Sequence, residues 1–216
     1  MSTQPAPAAA PSFWIFSIFY GGMVVIAGVL ANKQIALGPL AVEAGILAFL
    51  LLVVVSSTVA ELHGRKAADR LVRFGFIPLI GSILLMLLVH ALPDAMHDRP
   101  EDLERLAHIQ AVLGQGPRVM IAGIIAYGTS QTLNVMIFSR LRGETGRMLW
   151  LRAGVASVLS QIVDTLLFIT IAFYGEFPIG NLLVGQMIAK VVLSAILVPP
   201  LIYLFVAIGR RLDSAK

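Results

Sequence analysis

The sequence predicts an all-α, polytopic membrane protein: a compact bundle of six transmembrane helices with both termini cytoplasmic. Apolar residues make up 58% of the 216-residue chain and charged residues 13%, against roughly 45–50% and about 25% in ordinary soluble domains. The apolar residues fall in runs near the ~20 residues that cross a bilayer as a helix, and a helix satisfies its own backbone in hydrocarbon. The segments between the runs alternate in charge, which sets the orientation.

Residues 1–12 are uncharged and rich in Pro and Ala. They read as a flexible tail rather than a secretory signal, because no basic region precedes the first apolar run. Residues 13–208 read as one transmembrane domain with spans at Phe13–Ala31, Ile35–Ala60, Phe74–Leu92, Pro117–Ser139, Ala153–Tyr174 and Pro178–Ile208. Pro117 and Pro178 stand where helices begin. Pro199-Pro200 should kink or end the last span. Residues 209–216 form a basic cytoplasmic tail.

Arg65, Lys66, Arg70 and Arg73 fill the second connection, and Arg140, Arg142, Arg147 and Arg152 the fourth. The third is acidic, with Asp94, Asp98, Glu101, Asp102 and Glu104. Counting Lys and Arg, the basic connections and the tail belong in the cytoplasm and the acidic connection outside. The net charge of +4 therefore reflects membrane orientation, and no nucleic-acid partner is expected. The absence of cysteine excludes disulfides and thiolate sites. His97 and His108 lack a metal-ligand spacing, and Gly114-Gln115-Gly116 lacks the lysine of a phosphate loop. No cofactor or metal is expected. The spans offer no nucleophile–base pair, so an enzyme is not expected either.

The chain repeats itself. Ser130-Gln131-Thr132-Leu133-Asn134 leads to Phe138, and Ser160-Gln161-Ile162-Val163-Asp164 leads to Phe168. Amides and a carboxylate in hydrocarbon are costly unless paired or wet. Positions i and i+3 share a helix face, so Gln131 projects with Asn134 and Gln161 with Asp164. Each glutamine lies about 12 Å from the cytoplasmic end of its span, and Lys190 lies at nearly the same height. Lys190 should face the bundle and meet Asp164, directly or through substrate. The set could line a midplane binding site, or it could only bridge helices.

Other polar residues admit two readings. Asn32 is an interface anchor or a ligand; Glu61 is a cytoplasmic ion-pair partner or a ligand. Glu43 reads as solvated near the outer interface. Ser56, Ser57 and Thr58 can bond back to their own helix. Gly21, Gly22, Ala27 and Gly28 make a small-residue stripe suited to close packing. Phe138 and Phe168 could stack on a planar ligand or fill the bundle.

Several of these elements together resemble the queuosine precursor transporter family, also described as vitamin-uptake-like transporters. The likeness spans nearly all six runs. It is carried by Ser160-Gln161, Asp164-Thr165, Phe168 and Ala172-Phe173, with Lys190 and Pro199. Ser130-Gln131, Phe138, Leu141-Arg142, Ala31-Asn32-Lys33 and Glu61 with Gly64 support it. The sequence departs from the family pattern at Ser57 and Asn134, where carboxylates are usual, and at His63, where tyrosine is usual.

The resemblance implies uptake of 7-cyano-7-deazaguanine or 7-aminomethyl-7-deazaguanine across a bacterial inner membrane. Asn32, Glu61, Gln131, Asn134, Gln161, Asp164, Phe168 and Lys190 are the expected substrate-binding residues. Asp164 would accept both donors of the guanine-like edge, and Phe168 would cover the ring. The partners expected are the heterocycle and the lipid bilayer, with a homo-oligomer left open. An alternative is the capture subunit of a multi-component vitamin transporter, which would need an ATPase partner.

Overall fold

A computed structural model describes residues 10–31, 33–37, 40–93, 100–113, 117–144, 148–176 and 178–214. In chain order they form α1 (Pro11–Leu30), β1 (Gln34–Leu37), β2 (Leu40–Glu43), α2 (Gly45–His63), α3 (Arg65–Ala91), α4 (Pro100–Leu113), α5 (Pro117–Glu144), α6 (Leu149–Phe173) and α7 (Gly180–Ser214). Six of the helices, all but α4, are long and apolar enough to cross a membrane. Asn32 and His97 lie outside the described residues.

The helix α2 is the hub. It packs against α1, α3, α5, α6 and α7, and those five close a ring through the pairs α1–α3, α3–α5, α5–α6, α6–α7 and α7–α1. Of its membrane window 72% is buried, against 11% for α3. The cause is in its sequence: Ile46 to Val55 is apolar on every face, and a helix apolar all round belongs inside. Close approach needs small residues. A Cβ on Gly45 would stand 2.6 Å from the Ala27 carbonyl oxygen of α1, so that glycine sets the α1–α2 contact.

Three boundaries differ from the sequence-based expectation. The stretch Ile35–Val42 is not the start of a helix. It folds as an antiparallel hairpin pairing Gln34 with Glu43 and Leu37 with Leu40. The basic residues after α2 are not a loop; α3 begins at Arg65, directly after Gly64, whose φ of +82° suits glycine alone at low cost. Arg, Lys, Ala and Leu are good helix formers, so the helix extends past the apolar run. Finally, α7 continues through Pro199-Pro200 to Ser214. The Pro199 ring packs against Gly154 of α6, and neighbouring helices commonly stabilise prolines in membrane spans.

The N- and C-terminal helices meet at one end. The Ser12 amide donates to Asp213 Oδ1 (3.0 Å), and Ser12 Oγ donates to Asp213 Oδ2 (2.8 Å) and lies 2.7 Å from His63 Nε2. Ser12 has one hydroxyl proton, so with that proton on Asp213 the His63 ring nitrogen is the donor. The carboxylate also caps the start of α1, where the helix dipole favours negative charge. This end carries the arginine-rich segments; the opposite end carries α4, with Glu101 and Asp102 in its first turn.

Gly75 of α3 tests the packing. A Cβ there would collide with the Tyr127 hydroxyl and lie 2.8 Å from Tyr20 Cε1. Gly75→Ala should destabilise the fold by about 1–3 kcal/mol, read as a lowered Tm of the purified protein in detergent. An unchanged Tm would mean that α3 and α5 slide apart freely.

Candidate functional site

Two chambers lie between the ring helices, on the acidic side of the bundle centre. The inner one, about 110 Å³, is lined by Glu43, Phe49, Tyr127, Asp164, Phe168 and Lys190 among others. The outer one, about 320 Å³, shares Glu43, Leu79 and Phe168 with it and continues along Ser82, Met86 and Phe173. Phe168 meets Phe173 edge to face at 6.1 Å, so the aromatic wall spans both chambers.

The inner chamber has a charged floor. Lys190 Nζ of α7 donates to Asp164 Oδ2 of α6 at 2.9 Å, and Ser130 Oγ of α5 donates to Asp164 Oδ1 at 3.1 Å. Both side chains of the ion pair are at least nine-tenths buried. A pair this deep is costly to desolvate and persists only with good geometry and further hydrogen bonds. The serine supplies one such bond. A carboxylate offers about four lone-pair positions, so these two bonds leave acceptor capacity on Asp164, which lines the chamber.

Glu43 forms the third charged wall. It sits at the end of β2, outside the spanning helices, and the hairpin folds back so that it faces Lys190, Asp164 and the hydrogen-bonding Gln186. Burial pushes its carboxyl above the ordinary range; Lys190 draws it down, Asp164 pushes it up and Gln186 lowers it. Sequence reading placed Glu43 in solvent, because the fold-back of the hairpin is a tertiary event. The dipeptide Gly38-Pro39 is a turn signal that marks the interruption. Tyr127, Phe49, Gln186 and Ser130 also escaped notice as site residues.

The remaining polar residues form a separate layer below the chamber, and of those bonded within it only Tyr127 also lines the chamber. Asn134 Nδ2 donates to Ser56 Oγ and Ser57 Oγ of α2, both at 3.1 Å. Gln131 Oε1 accepts from Ser56 Oγ at 3.3 Å and Tyr20 at 3.4 Å. Tyr127 donates to the Val72 carbonyl at 2.9 Å and lies 3.2 Å from the Tyr20 hydroxyl. Gln161 is fully buried, and both of its amide atoms lack a partner among the described residues, as do Gln131 Nε2, Asn134 Oδ1, Ser157 Oγ and Ser194 Oγ. Buried polar atoms are nearly always satisfied, so such a concentration calls for an explanation.

Nearer the basic end, Arg152 of α6 donates to Glu61 Oε2 of α2 at 2.9 Å, and its guanidinium covers the Phe138 ring at 4.3 Å. The structure thus brings Asp164, Lys190 and Phe168 together. It sets Gln131, Asn134 and Gln161 one layer lower, and places Glu61 with Phe138 lower still.

No metal-binding group of three His, Asp or Glu occurs among the described residues. Six apolar spans around a charge-paired interior that holds two chambers describe a multi-pass membrane transporter. The chain belongs to the family described as "Putative vitamin uptake transporter", matching it over residues 43–205. It is 28% identical to a "Probable queuosine precursor transporter" of Bacillus subtilis (strain 168), over 87% of this chain and 91% of that protein. No solved structure matches the chain.

Proposed function

We propose that this protein carries a 7-deazaguanine precursor of queuosine, cyano or aminomethyl, across the bacterial inner membrane into the cytoplasm. The acidic end faces outward and the basic end, with both termini, faces the cytoplasm, following the distribution of Lys and Arg. The single observation that carries the reading is Asp164. It is a buried carboxylate, held by Lys190 and Ser130, that lines the inner chamber and has acceptor capacity beyond those two bonds. A guanine-like edge presents adjacent N1–H and amine donors that such a carboxylate accepts together, and an analogue lacking them leaves it unpaired. Phe168 and Phe49 offer faces for the ring.

Glu43 adds a second acidic contact suited to the aminomethyl cation. Glu43→Gln should lower uptake of the aminomethyl form about tenfold, the equivalent of 1.4 kcal/mol, and leave the cyano form nearly unchanged. Because the Glu43 carboxyl is raised, its charged form is lost as pH falls through a value above the ordinary carboxylate range. Wild-type preference for the aminomethyl form should fade on that acid limb and be absent in the variant at every pH. Equal loss of both substrates would remove Glu43 from this role.

The layer of Gln131, Asn134 and Gln161 is the cytoplasmic half of the path, closed in this state. Its unpartnered amide atoms are met by substrate or water when α2 separates from α5 and α6. Glu61, Arg152 and Phe138 form the gate beneath. Alternating exposure of a midplane site by helix movement is the general device of such carriers.

The purified chain in proteoliposomes, without ATP or any other protein, should accumulate labelled deazaguanine. Expressed in cells unable to make the precursor, it should restore queuosine to tRNA at low external supply. Transport that appears only with an ATPase pair would support the capture-subunit reading, and no binding of either deazaguanine would reject both.

A further inference from the structure

We propose that the pocket at the basic end, walled by arginines from three helices, binds a phosphate-bearing anion. It encloses about 200 Å³ between Ala60 of α2, Arg65 of α3, Ser139, Arg140 and Arg142 of α5, and Arg152 of α6. Two of the four guanidinium charges are compensated. Arg152 pairs with Glu61 at 2.9 Å, and Arg65 pairs more loosely with Asp69 at 3.5 Å. Arg140 and Arg142 make no ion pair among the described residues. Among the described residues two of the pocket's positive charges are thus without an ion-pair partner, and like charges around one cavity repel unless an anion enters.

A second observation points the same way. Ser139 Oγ is buried and has no hydrogen-bond partner among the described residues. Some serines elsewhere in these helices return their proton to the carbonyl of the preceding turn, as Ser17 does to Phe13, Ser82 to Leu79 and Ser160 to Ser157. Ser139, like Ser157 and Ser194, does not, and of the three it is the one that lines this pocket. A hydroxyl donor beside several planar guanidinium forks matches the tetrahedral oxygens of a phosphate, which arginine binds through two parallel bonds. A carboxylate would use one fork and leave the others unmet. The pocket lies at the boundary between the spans and the basic connections, within reach of a phosphodiester lipid headgroup and of soluble phosphate alike.

Thermal unfolding of the full chain in neutral detergent separates the outcomes. Phosphatidylglycerol, phosphatidylcholine and inorganic phosphate are titrated at constant ionic strength, against wild type and the Arg140→Gln/Arg142→Gln double variant. A phosphate-bearing anion should raise the wild-type Tm, and the double variant should bind it at least about tenfold more weakly. A rise with phosphatidylglycerol alone assigns the site to a lipid headgroup; a rise with inorganic phosphate as well assigns it to a soluble anion. Native mass spectrometry of wild type provides a readout that needs no variant: retained phosphatidylglycerol, or phosphate adducts, in excess over phosphatidylcholine. No Tm response with no retained anion, or equal binding by the double variant, would overturn the proposal.

Discussion

Asp164→Asn should reduce deazaguanine uptake by about 30-fold or more. The estimate follows from losing one member of a buried, hydrogen-bonded charged contact, about 2–5 kcal/mol, at tenfold per 1.4 kcal/mol. Asparagine keeps the shape and can still accept from Ser130. It replaces one acceptor with a donor, which then opposes the donor edge of the guanine-like ring. It also leaves Lys190, which donates to Asp164 at 2.9 Å, without its counter-charge. Uptake is measured in proteoliposomes at matched protein density, with Tm in detergent as the folding control. Unaltered uptake by a folded Asp164→Asn protein would remove the carboxylate from substrate recognition, and with it the main support for a guanine-edge site.

Arg152→Met should destabilise the fold strongly. Removing the cation strands the Glu61 carboxylate, whose side chain is only 17% exposed, and breaking a buried pair this way costs about 3–5 kcal/mol. Partial exposure of Glu61 puts the expected loss at the lower end. The arginine also gives up its hold on the Phe138 ring. The double variant Glu61→Leu/Arg152→Met removes both charges and should recover most of the loss, since an apolar pair of similar volume is often as stable as the ion pair. Chemical denaturation of the three variants in detergent gives the coupling directly. A double variant as unstable as the sum of the two single ones would show that the pair contributes no coupling.

Much of the bundle was legible along the chain. Length and apolarity locate the six spans, because a helix crossing hydrocarbon has a narrow permitted length. The pairing of Asp164 with Lys190 was also within reach, because a lysine at that depth needs a counter-charge and helical rise places the two at one height. The ends of elements were less legible. Apolarity alone does not distinguish a buried strand from a helix, so the hairpin Gln34–Glu43 merged into the second span. The first turns of α3 are helical although charged, because propensity outlasts hydrophobicity at a membrane surface. The helix α4 begins with Pro100, Glu101 and Asp102, a start signal overshadowed by the loop's net charge.

Depth is a coordinate the sequence measures; azimuth is not. Gln131, Asn134 and Gln161 lie only one layer below Asp164, yet none of them lines the chamber: Gln131 and Asn134 bond to α2, and Gln161 is buried in the packed layer. What decides this is the placement of α2 at the centre of a five-helix ring, with Ser56 and Ser57 turned toward α5. Glu43 reaches the chamber only because a hairpin folds back. The sequence by itself determined how many times the chain crosses the membrane and which ionisable groups must find partners there, because hydration energy is a property of each residue in order. Only the tertiary structure decided which of those groups share a cavity, because that depends on how helices rotate and pack against one another sideways.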